Sequence, residues 1–275
     1  MALPTLEQLI QLVPIGFAIG TVGTLVGLGG GFALLPVLLL FYKLDPVSTR
    51  AVSLFVVLCN SGTATIAQRR QRRVDWSMGL VIGICAVPAG FVGREVGNLF
   101  SAGLFKSVIG ALLLGFAVLL VLRQLLGRPD VTVSGAPGRG VLARDVTLSD
   151  GRTTRYHFNV PVMVVSSVLM GFYTGVTGLA GGTVFLPFMI LLMGIPVTVA
   201  AATSLFAMFF TALSLTVLNL AEGVVKFDYA IPLAIGIIGG AILGAWLAGR
   251  VRGGVVRWFL AVILAAVALR MLLFR

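Results

Sequence analysis

A ten-residue glycine-rich segment occurs twice in this chain, and it constrains the fold more strongly than any other feature. Residues 27–36 read GLGGGFALLP and residues 178–187 read GLAGGTVFLP, so six of ten positions are identical at a shift of 151 residues. The same shift places Ser53 on Ser204 and Phe55 on Phe206. Two such matches in one chain indicate a duplication, and a duplicated glycine break indicates a repeated functional element.

Long apolar stretches flank both glycine-rich segments. The 275 residues are 59% hydrophobic and 11% charged, with a mean hydropathy of +1.10, whereas soluble domains carry about 25% charged residues. Several uncharged stretches reach the roughly 20 residues that a helix needs to cross a bilayer. We therefore predict an all-α, multi-pass protein of the lipid bilayer. We expect no cleavable signal peptide, because the first apolar segment runs directly into the repeat.

The sequence predicts two homologous membrane halves joined by a polar segment. Residues 1–126 form the first transmembrane repeat, 127–158 a polar loop, and 159–275 the second repeat. We expect helices at residues 10–26, 49–68, 77–96, 104–126, 159–177, 229–248 and 255–273, and another that ends near Asn219. Residues 32–42 and 183–193 are apolar but too short to cross, since about eleven residues span only ~16 Å. Each is interpreted as a half helix that follows a glycine break.

The polar segment 127–158 contains five arginines, which places it in the cytoplasm by the positive-inside rule. Residues 149–152 read SDGR, a turn signal between two short β-prone runs. We therefore predict a small two-stranded hairpin in this segment. It is too short to have a core of its own.

The distribution of charge indicates how the two halves are oriented. The basic loop at residues 69–73 corresponds to the nearly neutral segment 222–228, whereas the uncharged turn 97–103 corresponds to a loop with Arg250, Arg252 and Arg257. A bias that flips between halves favours inverted repeats with an odd number of crossings each. The alternative is a parallel four-plus-four arrangement with re-entrant half helices.

The glycine breaks are the first candidate site. The candidate donors are the backbone amides of Gly29, Gly30, Gly31, Gly181 and Gly182. These amides would form the N-termini of the half helices, which carry about half a positive charge. Two such ends that meet near the membrane midplane would bind a small anion. The alternative is that the glycines only allow a kink or a close helix crossing, as Gly16 and Gly20 on the first helix are expected to do.

Polar side chains at membrane depth are the second candidate. We select Ser53 and Ser204 because they match across the repeat, and Asn60 because its amide is costly to leave unpaired. These groups donate hydrogen bonds to an oxyanion without adding fixed charge. For most other serines and threonines at this depth, a hydrogen bond to a carbonyl of the same helix is the better interpretation.

Other classes of function lack the residues they need. Arg50 is expected to extend to the interface, and Arg94 with Glu95 to form a local pair near a helix end, so no central carboxylate serves a proton relay or a metal ion. His157, the sole histidine of the sequence, lies in the polar loop, and no hydrolase motif is present. We predict no enzyme and no cofactor. The net charge of +11 is attributed to orientation in the membrane, not to nucleic-acid binding.

Residues 23–55 and 175–206 resemble the TauE/SafE family of sulfite and organosulfonate exporters, of the 4-toluenesulfonate uptake permease type. Each segment carries the glycine break, a Leu-Pro pair, and then Ala-Val-Ser-Leu-Phe or Ala-Thr-Ser-Leu-Phe. The likeness extends over residues 10–126 and 159–273. It implies a permease of the cell inner membrane for sulfur-containing anions such as sulfite, sulfoacetate or thiosulfate. Ala180 replaces the first glycine of the second triplet, so the two breaks are not equivalent.

Residues and resemblance together predict a transporter of a small anion bound between the two breaks, with alternating access as one half rocks against the other. One alternative is a passive anion channel through the same pore. Another is a non-transporting membrane sensor or subunit whose 127–158 segment docks a soluble partner. The sequence leaves the anion, the direction, the coupling ion and the oligomeric state open, with a homo-oligomer among the options.

Overall fold

The computed structural model describes residues 6–69, 71, 73–101, 141–147, 153–179 and 197–248, with single positions within 103–118 and 185–195 and residue 269. In this part of the chain the elements are α1 (Leu6–Val26), α2 (Gly31–Leu40), α3 (Pro46–Arg69), α4 (Trp76–Asn98), β1 (Val141–Thr147), β2 (Thr153–Asn159), α5 (Val160–Thr177), α6 (Val197–Ala221) and α7 (Phe227–Leu247).

The described helices are those of a multi-pass membrane protein. Six of them, α1, α3, α4, α5, α6 and α7, are long and apolar enough to cross a bilayer, whereas α2 has 10 residues. The predicted all-helical membrane architecture is confirmed, as is a short helix directly after the first glycine break. Most of the predicted half helix 183–193 and of the predicted helices 104–126 and 255–273 lies outside the described residues.

Short polar side chains begin the helices where the sequence places turns. Asp45 precedes α3 and accepts a hydrogen bond from the Ser48 amide at 2.9 Å, and Asp75 caps α4 by accepting from the Met78 amide at 3.0 Å. Asn159 caps α5 in the same way. Partial burial raises the pKa of Asp45, but the hydrogen bonds from Ser48 outweigh it and hold that pKa below its usual value. These caps satisfy amides that a helix start leaves unpaired.

Helix α4 of the first repeat runs parallel to α6 of the second. Near the start of α4, the ring of Trp76 meets that of Phe206 edge-on with centroids 4.8 Å apart. Near its end, the Arg94 Nε donates to the Asn219 Oδ1 at 3.0 Å. Both contact points advance in the same direction along the two helices, so α4 and α6 point the same way.

Helices α3 and α7 are also parallel. The ring of Phe55 meets that of Phe227 at 6.1 Å, and the Gln71 side-chain amide, just beyond the end of α3, donates to the Ala245 carbonyl at 2.8 Å. Short connections join α3 to α4 and α6 to α7.

Glycines allow α1 to lie directly against α7. A Cβ added at Gly16 would lie 2.5 Å from the Leu233 carbonyl oxygen, and one at Gly20 would lie 2.6 Å from that of Ile237. There is space for a hydrogen atom only, which lets the two backbones touch. The close approach predicted for this face of the first helix is confirmed.

The same kind of contact joins α4 to α5. A Cβ at Gly171 would overlap the backbone of Ala86, and one at Gly175 would overlap the carbonyl of Gly90. Each repeat therefore contributes a helix to the other: α1 packs on α7, and α4 packs on α5. The two halves of the sequence interleave in space.

The segment before α5 contains the antiparallel pair of β1 and β2, with Val141 opposite Asn159 and Thr147 opposite Thr153. This is a two-stranded hairpin, as the turn signal predicts, although the turn residues 148–152 lie outside the described part. Tyr156 and Phe158 of β2 are buried and belong to the main hydrophobic cluster of the membrane helices. The hairpin is therefore packed onto the helices.

Candidate functional site

The first glycine break is built on left-handed backbone conformations. Gly27, Gly29 and Gly30 have φ of 82°, 74° and 81°, values that side chains with a Cβ rarely adopt. The Gly23 carbonyl closes the end of α1 by accepting from the Leu28 amide at 2.8 Å and the Gly29 amide at 3.3 Å. The chain then enters α2, which begins at Gly31. The Gly29 amide is thus used inside the break.

Ser53 and Ser204, which match across the repeat, each bond to the glycine break of the opposite half. The Ser53 hydroxyl donates to the Gly178 carbonyl at 3.0 Å, and the Ser204 hydroxyl donates to the Gly27 carbonyl at 3.0 Å. Donor and acceptor in one bond are each shifted by 151 residues in the other, so the exchange is reciprocal. The serines selected from the sequence therefore lie at the breaks, with their protons directed to backbone carbonyls. The Ser204 hydroxyl is also 3.0 Å from the Ala201 carbonyl of its own helix, so its one proton is shared between two carbonyls.

The two breaks meet between α3 and α6. A Cβ added at Gly31 would lie 3.0 Å from the Leu179 carbonyl oxygen, which belongs to the second break. One added at Gly29 would lie 3.3 Å from the Met208 side chain and 3.4 Å from that of Val57. Val57 and Met208 are themselves equivalent by the 151-residue shift. The first break thus lies between two side chains that the repeat makes equivalent.

The first two amides at the start of α2, those of Gly30 and Gly31, lack acceptors among the described residues. Gly30 is the N-cap residue of α2 and makes no side-chain cap bond. Such amides carry the positive end of the helix dipole. Gly181 and Gly182, the candidate donors of the second break, lie outside the described residues.

Asn60 lies on the same face of α3 as Ser53, two turns further along. It is fully buried, and its Oδ1 accepts from the Thr24 hydroxyl at 3.0 Å. Its Nδ2 has no hydrogen-bond partner within the described part of the chain. A buried amide nitrogen without an acceptor costs about 1–3 kcal/mol. The Asn60 Nδ2 is therefore a candidate donor to a bound ligand.

Sequence reasoning missed that the unpaired polar groups themselves follow the repeat. Thr211 is equivalent to Asn60, and Thr216 is equivalent to Thr65. The hydroxyls of these three threonines are buried and have no partner among the described residues. The 151-residue shift was the available signal, because it aligns polar positions on α3 with polar positions on α6.

The expectation for Arg50 is wrong. Its side chain is 5% exposed and turns inward, where it donates to the Asn98 Oδ1 at 2.6 Å and to the Val176 carbonyl at 3.3 Å. The Val176 carbonyl is at the C-terminal end of α5, just before the second break, where a cation is favoured by the helix dipole. A buried acceptor cluster therefore outweighs extension to the interface. Gly178 packs against the stem of this arginine.

Arg94 forms the predicted pair with Glu95, and two further contacts that the sequence does not reveal. Its guanidinium is 2.9 Å from the Glu95 carboxylate, is paired with Glu222, and donates to the Asn219 Oδ1 at 3.0 Å. Arg94 itself is buried, whereas both glutamates are exposed to solvent. The cluster fastens the end of α4 to the end of α6.

Comparison with known proteins supplies the family. The model of the sulfite exporter TauE/SafE family matches residues 12–271, which is nearly the whole chain. The chain belongs to the TauE/SafE family. Its described residues contain no cluster of three or more metal-binding side chains. No solved structure matches the chain.

Relatives of this TauE/SafE chain carry transporter names. It is 29% identical over 253 residues to the Probable membrane transporter protein YunE of Bacillus subtilis, a match that covers 90% of this chain and 88% of YunE. It is 26% identical over 277 residues to the Probable membrane transporter protein MJ0441 of Methanocaldococcus jannaschii, covering 95% and 94%. Family, relatives and helices together identify a multi-pass membrane protein of a transporter family.

Proposed function

We propose that this TauE/SafE chain is a permease of the cell inner membrane that exports small sulfur-containing anions such as sulfite, sulfoacetate or other organosulfonates. The observation that carries the proposal is the junction of the two breaks. The amides of Gly30 and Gly31 in the first break, and the side-chain amide of Asn60 on α3, lack acceptors among the described residues. An oxyanion supplies the acceptors that these donors need.

The donor set suits an anion that is bound and released. Backbone and side-chain amides carry partial charge only, so they compensate an anion for lost hydration without forming a permanent ion pair. In this proposal Ser53 and Ser204 position the breaks through the Gly178 and Gly27 carbonyls. Gly181 and Gly182 complete the site from the second half.

The directions of the helices support inverted repeats and alternating access. In this proposal each short connection reverses the chain, so α3 and α6, which are equivalent in sequence, run in opposite directions, as an axis in the membrane plane requires. The proposed moving units are a bundle of α1, α3 and α7 and a bundle of α4, α5 and α6, which meet where α3 packs on α6. Each bundle draws helices from both halves of the sequence. Motion of these bundles about the breaks, instead of the sequence halves, would expose the site to either side.

Transport by purified protein in liposomes tests the proposal. We expect saturable uptake of radiolabelled sulfoacetate, competition by sulfite and thiosulfate, and counterflow when the liposomes contain unlabelled anion. Folded protein that moves none of these anions would contradict the proposal. Unitary currents in a planar bilayer, without counterflow, would show a channel in place of a carrier.

The matched variants are Gly31→Ala and Gly103→Ala. A methyl group at Gly31 would lie 3.0 Å from the Leu179 carbonyl oxygen at the junction, whereas one at Gly103 meets no described atom within 4 Å. We expect Gly31→Ala to lower the affinity for the anion by about tenfold, which corresponds to ~1.4 kcal/mol, and Gly103→Ala to leave it unchanged. Equal transport by both variants would remove the junction from the site.

A further inference from the structure

The β-hairpin is fastened to the membrane helices by a buried hydrogen bond. The Tyr156 hydroxyl of β2 donates to the Asp75 Oδ2 at 2.7 Å, and Tyr156 and Phe158 are each 4% exposed. Asp75 also caps α4 through its other oxygen, which accepts from the Met78 amide at 3.0 Å. The carboxylate thus joins the hairpin to the start of α4.

The contacts continue from Asp75 to the first glycine break. The Asp75 amide donates to the Thr203 hydroxyl of α6 at 3.0 Å. The next residue is Ser204, whose hydroxyl donates to the Gly27 carbonyl at 3.0 Å. An unbroken series of bonded groups therefore runs from Tyr156 through α4 and α6 to Gly27.

Among the described residues, this series has no counterpart in the other half. At the positions equivalent to Asp75 and Thr203, the sequence has Lys226 and Val52, neither of which repeats the carboxylate or the hydroxyl. Lys226 is the N-cap of α7 and makes no side-chain cap bond. The Ser53 hydroxyl holds the Gly178 carbonyl of the second break, and no described residue connects it to a hairpin in the same way.

We infer that the hairpin positions the first break, with Tyr156, Asp75 and Thr203 as positioning residues for Gly27. Loss of the Tyr156 bond frees the start of α4, which weakens its hold on Thr203 and on the adjacent Ser204. The conformation of residues 27–31 then becomes less restricted. The effect on the break is a matter of geometry, whereas any effect on anion affinity rests on the proposed function.

Hydrogen exchange in lipid nanodiscs tests the inference without any transported anion. The reporters are the amides of Leu28 and Gly29, which the Gly23 carbonyl protects in the native break. We expect Tyr156→Phe and Thr203→Val each to speed their exchange by about fivefold, as for the loss of one buried hydrogen bond. Thr203→Ser keeps the hydroxyl and should exchange like the parent protein.

Tyr42→Phe is the matched control, because its hydroxyl bonds to the exposed Gln11 side chain at 3.4 Å, away from this series. It should leave the exchange of residues 27–31 unchanged. Unchanged exchange at Leu28 and Gly29 in both Tyr156→Phe and Thr203→Val overturns the inference. So does faster exchange that is confined to the hairpin or is uniform over all helices, since either outcome shows a packing role alone.

Transport separates the inference from the proposed function. If the break binds the anion, Tyr156→Phe should raise the KM for transport about fivefold while the maximal rate changes little. An unchanged KM together with faster exchange at Leu28 would support the positioning of the break and contradict the anion site. An unchanged KM with unchanged exchange would contradict the positioning.

Discussion

Asn60 combines complete burial with an incomplete set of hydrogen bonds. Its carbonyl oxygen accepts from Thr24, while its amide nitrogen has no partner among the described residues. The Thr24 hydroxyl fixes the orientation of the amide, because the hydroxyl donates to the oxygen and leaves the nitrogen directed elsewhere. At the scale of one residue, this unpaired donor is the reason that the proposed anion site includes Asn60.

Asn60→Asp should therefore impair anion binding more than it impairs folding. The two side chains have the same shape, but a carboxylate replaces the donor with an acceptor that repels an anion. We expect the anion to raise the Tm of this variant much less, consistent with an affinity at least about tenfold lower. Thermal unfolding over a range of anion concentrations measures this.

Ser61→Ala is the control for this variant. Ser61 is buried next to Asn60, but its hydroxyl donates to the Leu58 carbonyl of its own helix at 3.2 Å. Its removal should leave the anion-dependent rise in Tm unchanged. A rise in Asn60→Asp as large as in the parent protein would exclude the Asn60 amide from the binding site.

Arg94 and Glu95 differ in burial, and their replacement should differ accordingly. Arg94→Gln leaves Asn219 and Glu222 without their shared donor, so we expect a loss of about 2 kcal/mol of stability. The Glu95 side chain is 69% exposed, and Glu95→Gln should change stability by less than about 0.5 kcal/mol. Equal losses of unfolding free energy in the two variants would show that α4 and α6 are not held together by the buried arginine.

At the scale of elements, glycines decide which helices can touch. The α1–α7 and α4–α5 contacts bring backbone against backbone, because Gly16, Gly20, Gly171 and Gly175 lack a Cβ. In a membrane, where lipid solvates apolar side chains as well as protein does, this close packing is a principal source of helix association. The interleaving of the two halves depends on it.

Two adjacent glycines of α7 provide a matched pair of variants. A Cβ at Gly240 would overlap the Phe17 carbonyl, whereas one at Gly239 would lie 3.3 Å from the Phe17 ring, which can rotate away. We expect Gly240→Ala to cost about 1–3 kcal/mol and Gly239→Ala to stay within about 0.5 kcal/mol of the parent protein. Unfolding in detergent measures both, and a similar result for the two would show that α1 and α7 do not pack through their backbones.

At the scale of the whole molecule, the proposed motion divides the helices into two bundles. One contains α1, α3 and α7, the other contains α4, α5 and α6, and α3 packs on α6 between them. If these bundles move relative to each other, a covalent link between them should stop transport. A link inside one bundle should be tolerated.

Two glycine–phenylalanine contacts with the same glycine-to-ring distance test this motion. Gly62 of α3 and Phe209 of α6 join the two bundles, and Phe17 of α1 and Gly239 of α7 lie within one. In each pair a Cβ at the glycine would lie 3.3 Å from the ring. In a variant whose free Cys59 and Cys85 are replaced by alanine, both members of each pair are replaced by cysteine. Cross-linking with a short thiol reagent should then abolish transport for the first pair and preserve it for the second. Transport by the cross-linked first pair would exclude motion between the bundles.

The sequence by itself determined the membrane architecture and the location of the breaks. Hydropathy over windows of about 20 residues is enough to identify membrane helices. Asp45 and Asp75 indicate helix starts because capping is local. The positive φ at Gly27, Gly29 and Gly30 follows from residue type, since glycine adopts it without strain. The 151-residue shift of the sequence is enough to pair Ser53 with Ser204.

Only the tertiary structure decided what these residues contact. The Ser53 hydroxyl bonds to a carbonyl 125 positions away and the Ser204 hydroxyl to one 177 positions away. Arg50 turns inward to the end of α5, and Arg94 reaches Glu222. Helix formation and membrane insertion depend on short windows of sequence. These partners depend on how the two repeats interleave, which results from the close packing of helices far apart in the chain.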